Sequence, residues 1–349
     1  MSGNIKYYLH SIADVVPLEI ISAQTFSQID RMASRFSDFA ASEYIMETSL
    51  NTELAEVDFS FRILTQEKAA LISGLNNDAF STLAAGQTWG KFVDFINFWP
   101  GKIADIWLEM DYAEYEKSIP QPCFFFNARQ VKNGTDVDKQ LLFSALKWLL
   151  DIEQLQSFWP HLQWVIQQLP PAVGLFQAGV MFARNRDRVR IFTGELTREQ
   201  TREYLSNIGW TSLSRLEELF ELINPYSEGQ YILDFDISAD GISEKIGINF
   251  GLKTNDILPD FLNSLVDHHL CTDIKRRGVL AWPGSKGSYL GPDYGYSVLI
   301  KDISHFKLSY SPTEGIKVKA YLRVAGVYLK ELFKARIPAK EDLGSINPL

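Results

Sequence analysis

The sequence predicts an α+β fold in which an antiparallel barrel of about ten strands is surrounded by helices. Strand-like runs come as about five pairs, separated by pairs of helix-like runs, whereas parallel βαβ chains place single strands between helices. Each strand pair also has one apolar and one polar face, as in "DFSFRIL", where Phe59, Phe61 and Ile63 alternate with Ser60 and Arg62. Closing all the pairs into one barrel uses every hairpin and leaves no exposed edge. No linker composition, charge block or low-complexity segment divides the chain, so residues 1–349 are expected to form one domain.

In order, helical "AQTFSQIDRMASRFSDFAASE" leads into "YIMETSLN" and "EVDFSFRIL", the first hairpin. "TQEKAALISGL" and "TWGKFVDFINFW" read as helices, and "KIADIWLEMDY" with "CFFFNARQ" as a second strand pair across a proline-containing connection. Apolar residues three and four apart make "DVDKQLLFSALKWLLDIEQLQ" and "FWPHLQWVIQQL" helical. The third pair is "VGLFQAGVMFA" with "RVRIFTGEL". Thr197 opens the helix "TREQTREYLSNIGW" as an N-cap, and helical "LSRLEELFELI" follows. "QYILDFDIS" and "ISEKIGINFGL" meet at Asp240 and Gly241, a two-residue hairpin signal. "NDILPDFLNSLVDHHL" and "TDIKRRGVLAW" are helical, and "PGSKGSYLGPDYG" is a Gly-rich loop. The last pair, "YSVLIKDISHFKLSYS" with "IKVKAYLRV", turns at "PTEG".

Composition narrows the function. A formal net charge of −9 and a pI near 5.2 argue against a nucleic-acid protein, so any basic site must be local. Cys123 and Cys271 form neither a disulfide framework nor a zinc-ligand pattern, and no metal site is expected. A reducing cytoplasm fits best. The start "MSGNIKYYLHSIADVVPLEI" lacks a basic and then apolar targeting pattern, and no run of about 18 apolar residues suggests a membrane span. Elbow, P-loop and dinucleotide motifs are missing from the right contexts, which leaves the common hydrolase and nucleotide readings without support.

The polar strand faces carry the chemistry. Facing inward are Glu47 and Ser49; Ser60 and Arg62; Trp107, Glu109 and Asp111; Phe125, Asn127 and Arg129; Arg188, Arg190 and Phe192; Asp234 and Asp236; Lys245; His305, Lys307 and Ser309; and Lys317, Lys319 and Tyr321. Cations gathered in a barrel repel one another and lose hydration, so a bound anion such as a diphosphate would make the arrangement far less costly. Alternatively, Glu109, Asp111, Asp234 and Asp236 neutralise the cations as ion pairs. "RVRIF" and "KVKAY" each place two basic residues and an aromatic ring on one strand face.

On these residues the chain resembles the ABBA, or PT-barrel, aromatic prenyltransferases, especially the dimethylallyltryptophan synthase branch. That family builds a ten-stranded antiparallel barrel from repeated α-β-β-α units. "ETSLN" is similar to the family's E-x-S-x-N, which implies that Glu47 accepts the acceptor's proton. Arg188, Arg190 and Phe192 match the diphosphate-binding R-x-K-x-Y, with phenylalanine for tyrosine, and Lys317, Lys319 and Tyr321 look like a similar edge. Where the family places a diphosphate-binding arginine this chain has Asp58, with Arg62 further along the strand. The second-hairpin Lys-x-Tyr pair is missing, with Asn127 and Arg129 nearest.

The resemblance implies attack of an indole or phenol ring, free or within a peptide, on the allylic cation from a prenyl diphosphate, chemistry of secondary metabolism. Arg188, Arg190, Lys317 and Lys319, with Arg62 and Lys245, would stabilise the leaving group, so no cofactor is required beyond the prenyl diphosphate co-substrate. Phe192, Tyr321 and Trp107, with Phe125 and Tyr231, would shield the cation from water. Glu109 would hold the acceptor, and His305 beside Lys307 is a further proton-relay group. The alternative is a barrel of this fold that binds or modifies another ligand without prenyl transfer.

Overall fold

The computed structural model describes residues 5–34, 43–75, 87–117, 120–291 and 295–329. Helices α1 (Ile5–Ile12) and α2 (Ala23–Ala33) precede the first hairpin, β1 (Glu43–Ser49) and β2 (Asp58–Leu64). The helix expected to run on through residues 35–42 lies there outside the described residues. Helices α3 (Lys68–Leu75) and α4 (Gln87–Phe98) lead to β3 (Asp105–Met110) and β4 (Cys123–Asn127). A small hairpin that the sequence reading lacked, β5 (Lys132–Asn133) with β6 (Asp136–Val137), comes next.

Two helices follow, but they divide at a different place from the expected one. They are α5 (Lys139–Leu146) and α6 (Ile152–Gln167), because Asp151 and Gln154 form a capping box that restarts the helix there. Strands β7 (Leu175–Met181) and β8 (Asn185–Thr193), helices α7 (Arg198–Asn207) and α8 (Leu213–Ile223), and strands β9 (Ile232–Ser238) and β10 (Gly241–Phe250) continue the rhythm. Thr197 caps α7, accepting from the Gln200 amide as its sequence position predicts. The β9–β10 turn occupies Ala239 and Asp240, since Ser238 pairs with Gly241, whose φ of +106° suits glycine.

Helices α9 (Leu258–Asp267) and α10 (Asp273–Leu280) precede β11 (Gly284–Tyr289), β12 (Tyr296–Ser311) and β13 (Gly315–Tyr328). The Gly-rich "GSKGSY" forms strand β11 rather than the loop its composition predicts, because the long β12 extends beyond the barrel and offers it a free edge.

Ten strands close into one antiparallel barrel in the order β10-β9-β8-β7-β4-β3-β2-β1-β13-β12, with β10 pairing back onto β12. Closure uses the second half of β12, Phe306 to Tyr310, while its first half pairs with β11. A bulge between Ile303 and His305 separates the halves and turns His305 toward the lumen. Outward side chains such as Phe59, Phe61, Ile106, Leu108, Phe124, Phe126, Ile191 and Leu233 are fully buried under the helices. Burying each of these large groups contributes roughly 1.5–3 kcal/mol, so the apolar face fixes the register. Among the described residues no helix is long and apolar enough to cross a membrane.

One buried cation serves the scaffold. Lys132 Nζ donates to the carbonyls of Gly134, Pro170 and Val173 at 2.8, 2.9 and 2.8 Å, with Pro171 at 3.3 Å, and so ties the β5–β6 hairpin to the end of α6. Lys132→Met should lower stability by roughly 2–3 kcal/mol, because carbonyls in a buried pocket lose their donor. Urea unfolding checks this, and a change under 0.5 kcal/mol would show that water takes over the ammonium's place.

Candidate active site in the barrel lumen

The lumen is a chamber of about 1080 Å³. Its wall follows from strand alternation: outward residues pack on helices, and their neighbours on each strand face in. Lining it are Glu47, Arg62, Trp107, Glu109, Arg190, Phe192, Lys245, Lys317, Lys319 and Tyr321, together with Phe125, Asn127, Arg129, Asp236, His305, Lys307 and Ser309. Arg188 is half-buried on β8 and is not among the lining residues. Tyr231 also lies outside the lining: its hydroxyl donates to Asn224 Oδ1 at 2.6 Å and its ring packs on Phe220.

Glu47 is 7% exposed and pairs with Lys319, which comes from the neighbouring strand β13. Burial opposes its ionisation, yet the charges of Lys319, Arg184 and Lys307 hold its carboxyl well below the usual range. Burial likewise disfavours the Lys319 cation, and the charges of Glu47 and Asp58 outweigh it, so both partners are pushed toward ionisation. Beside them the Tyr321 ring stacks on His305 with centroids 4.0 Å apart. Burial and then Lys307 lower His305 to about 4, so its imidazole is neutral near pH 7.

Six of the lumen's cations, Arg62, Arg190, Lys245, Lys307, Lys317 and Lys319, already hold carboxylates, while Arg129 lies over the Phe176 ring, 5.0 Å from its centroid. Arg190 forks onto Asp236, with Nε 2.7 Å from one oxygen and Nη2 3.0 Å from the other. Lys307 Nζ lies 2.6 Å from Asp234, which also accepts from Asn249 at 2.9 Å. Arg62 reaches Asp105 at 2.9 Å and Glu43 at 3.4 Å, and Asn127 donates to the same Asp105 oxygen. Lys245 and Lys317, more exposed, share Glu314 at 2.6 and 2.9 Å. Of the four carboxylates expected to neutralise these cations, Asp234 and Asp236 pair with Lys307 and Arg190, while Asp105, Glu43, Glu314 and Glu47 hold the others.

Arg184, in the β7–β8 connection, was missed by the sequence reading. It reaches across the start of β4 to donate to Asp111 at 2.6 Å and Glu109 at 2.7 Å, with Asp58 at 3.4 Å. Glu109 and Asp111, on β3 and at its end, have no cation on their own strand, and that imbalance was the available signal. Burial, and then the charge of Glu47, raise Asp58 to about 6. Burial raises Glu109 to about 7, with Arg184 opposing and Glu47 and Asp111 adding to the rise. Glu109, Asp111 and Cys123 bring possible metal-ligand atoms within 4.8 Å of one another, but the guanidinium of Arg184 already fills the place of a cation there.

Aromatic faces complete the chamber. Phe125 meets Phe192 edge to face at 5.6 Å, and Lys307 Nζ lies 5.9 Å from the Phe192 centroid. Phe125 has room because β7 carries Gly179 opposite it: a Cβ there would sit 2.6 Å from the Phe125 ring. The arrangement sets an ionised carboxylate, ion-paired guanidinium and ammonium groups and π faces around one chamber, which suits chemistry that separates charge.

No protein-family model matches the chain and no curated protein matches it in sequence. Solved structures do share its fold. The 6-dimethylallyltryptophan synthase of Micromonospora olivasterospora, in complex with DMASPP and Trp, superposes with a TM-score of 0.54 over 92% of this chain and 97% of that one, at 13% identity. AnaPT from Neosartorya fischeri gives 0.51 over 91% of each chain at 11% identity. NotF in complex with brevianamide F and DMSPP gives 0.52 over 90% of this chain and 91% of that one, at 10% identity. Strand order, closure and outer helices together therefore give this chain the PT-barrel fold of the ABBA prenyltransferases, as its hairpin rhythm predicted.

Proposed function

We propose that the chain transfers an allylic prenyl group from a prenyl diphosphate to an aromatic acceptor, a small indole or phenol or such a ring within a peptide. The observation that carries this reading is Glu47, a carboxylate kept ionised at 7% exposure beside Lys319 and the Tyr321 ring. The shared fold supports it, since the Micromonospora synthase was solved with DMASPP and Trp. In the reaction the acceptor ring bonds to the allylic carbon as the carbon–oxygen bond to the diphosphate breaks. The diphosphate departs with that electron pair, and the proton lost by the acceptor goes to Glu47.

Arg190, Lys307 and Lys319 would face the charge that grows on the leaving group, and Lys245 and Lys317 would draw the anion in. Trp107, Phe125, Phe192 and Tyr321 would exclude water and offer π faces to the carbocation. Glu109 would seat the acceptor's polar group. These cations supply the charge that a resident metal would otherwise bring. The two free, buried thiols, Cys123 and Cys271, support placing the protein in a reducing cytoplasm.

A second reading is favoured by one observation: the chamber cations Arg62, Arg190, Lys307 and Lys319 already hold carboxylates. A barrel neutralised in this way would bind or modify another ligand without prenyl transfer. Calorimetric titration with dimethylallyl and geranyl diphosphates, alone and with an indole acceptor, separates the two. Saturable binding that weakens at least tenfold in Arg190→Ala, followed by prenylated product in mass spectrometry, is expected. No heat with either diphosphate, with or without acceptor, would overturn prenyl transfer in favour of the second reading.

A further inference from the structure

We infer that Asp234 and Asp236 occupy, as internal anions, the seat that Arg190 and Lys307 would offer to a diphosphate, and thereby set how tightly the chamber takes that ligand. This rests on reading the seat as the diphosphate site.

Asp236 stands directly opposite Arg190 in the β8–β9 register and takes both arms of its fork, the two-point contact that a guanidinium otherwise makes with phosphate. Asp234, next on the same face of β9, holds Lys307 at 2.6 Å and lies 3.7 Å from Arg190 Nη1, so the two carboxylates span both cations. Neither is a solvated rim group, at 3% and 8% exposure.

The backbone makes room for this arrangement. At Gly247 a Cβ would come within 2.3 Å of Asp234 Oδ2 and 2.4 Å of Lys307 Cε, so the ion pair crosses β10 where the strand carries no side chain. An entering diphosphate must break these contacts and leave two buried carboxylates without their cations, which disfavours binding. Asparagine at either position keeps the shape and removes the charge.

The experiment titrates inorganic pyrophosphate into the wild-type full chain, Asp236→Asn, Asp234→Asn and the double variant Asp236→Asn/Arg190→Ala, with folding checked by circular dichroism and thermal melting. At least tenfold tighter binding in one folded single asparagine variant, lost again in the double variant, is the expected result. Folded single variants that bind pyrophosphate no more tightly than wild type would overturn the inference. If both single variants fail to fold, pyrophosphate is titrated into Asp236→Glu, which keeps the charge and disturbs the fork; unchanged or weaker binding there would also overturn it. The prenyl-transfer reading fails separately: tighter pyrophosphate binding in Asp236→Asn with no prenylated product from any folded variant would remove that reading and leave the carboxylate-filled seat standing.

Discussion

Glu47→Gln is expected to lower prenyl-transfer turnover by about 10²–10⁴-fold while diphosphate binding stays equal or becomes tighter. The loss follows because an amide cannot take the acceptor's proton. Binding does not fall because the substitution releases Lys319, the cation that Glu47 holds. The same release leaves a largely buried ammonium without its counterion, so stability should drop by roughly 2 kcal/mol, less than for a fully enclosed pair because the lysine is one-quarter exposed. Single-turnover product formation with saturating diphosphate, beside calorimetric affinity, separates chemistry from binding. Turnover within threefold of wild type in a folded Glu47→Gln protein would remove Glu47 from the proton's path.

Arg184→Met should cost roughly 2–4 kcal/mol of stability at pH 8 and much less at pH 5. Its guanidinium is shared by Asp58, Glu109 and Asp111, and without it three carboxylates face one another near the barrel's hairpin end. Burial and neighbouring acids already raise Asp58 to about 6 and Glu109 to about 7, from ordinary values of 3.8 and 4.5. A carboxyl raised in the folded state binds more protons folded than unfolded. Its contribution is complete below the ordinary value and is lost as pH rises through the folded one.

Wild type should therefore already lose some stability from these two groups between about pH 4 and 7, and the variant, whose carboxyls rise further, should lose more and up to higher pH. Glu47 acts in the opposite sense: its lowered carboxyl contributes above the ordinary value of 4.5 and loses that contribution only in acid. Urea melts of both proteins at pH 5, 6.5 and 8 test the crossing. An equal cost at all three pH values would show that Arg184 acts through packing rather than charge.

The legible part of this protein was what strand alternation carries. In "DFSFRIL" and "DIWLEM" a period of two separates buried Phe59, Phe61, Ile106 and Leu108 from lumenal Ser60, Arg62, Trp107 and Glu109, so the chamber wall could be read before any coordinates. The β5–β6 hairpin and β11 were missed because they are short and lack an apolar face. Their strand pairing comes from tertiary neighbours, as β11 gains its partner only where β12 outruns the barrel. Arg184 was missed because it comes from a hairpin connection, where alternation assigns no face.

By itself the sequence determined the barrel, the alternation of its strand faces and the stock of cations, carboxylates and rings upon them, because hydrophobic period depends on each strand alone. Tertiary structure decided which charges meet. Arg190 faces Asp236 through the β8–β9 register, Lys307 reaches Asp234 across Gly247, and Glu47 meets Lys319 only because β13 closes against β1. Register between strands distant in the chain is set by how the whole apolar surface packs against the helices, and no local pattern encodes it.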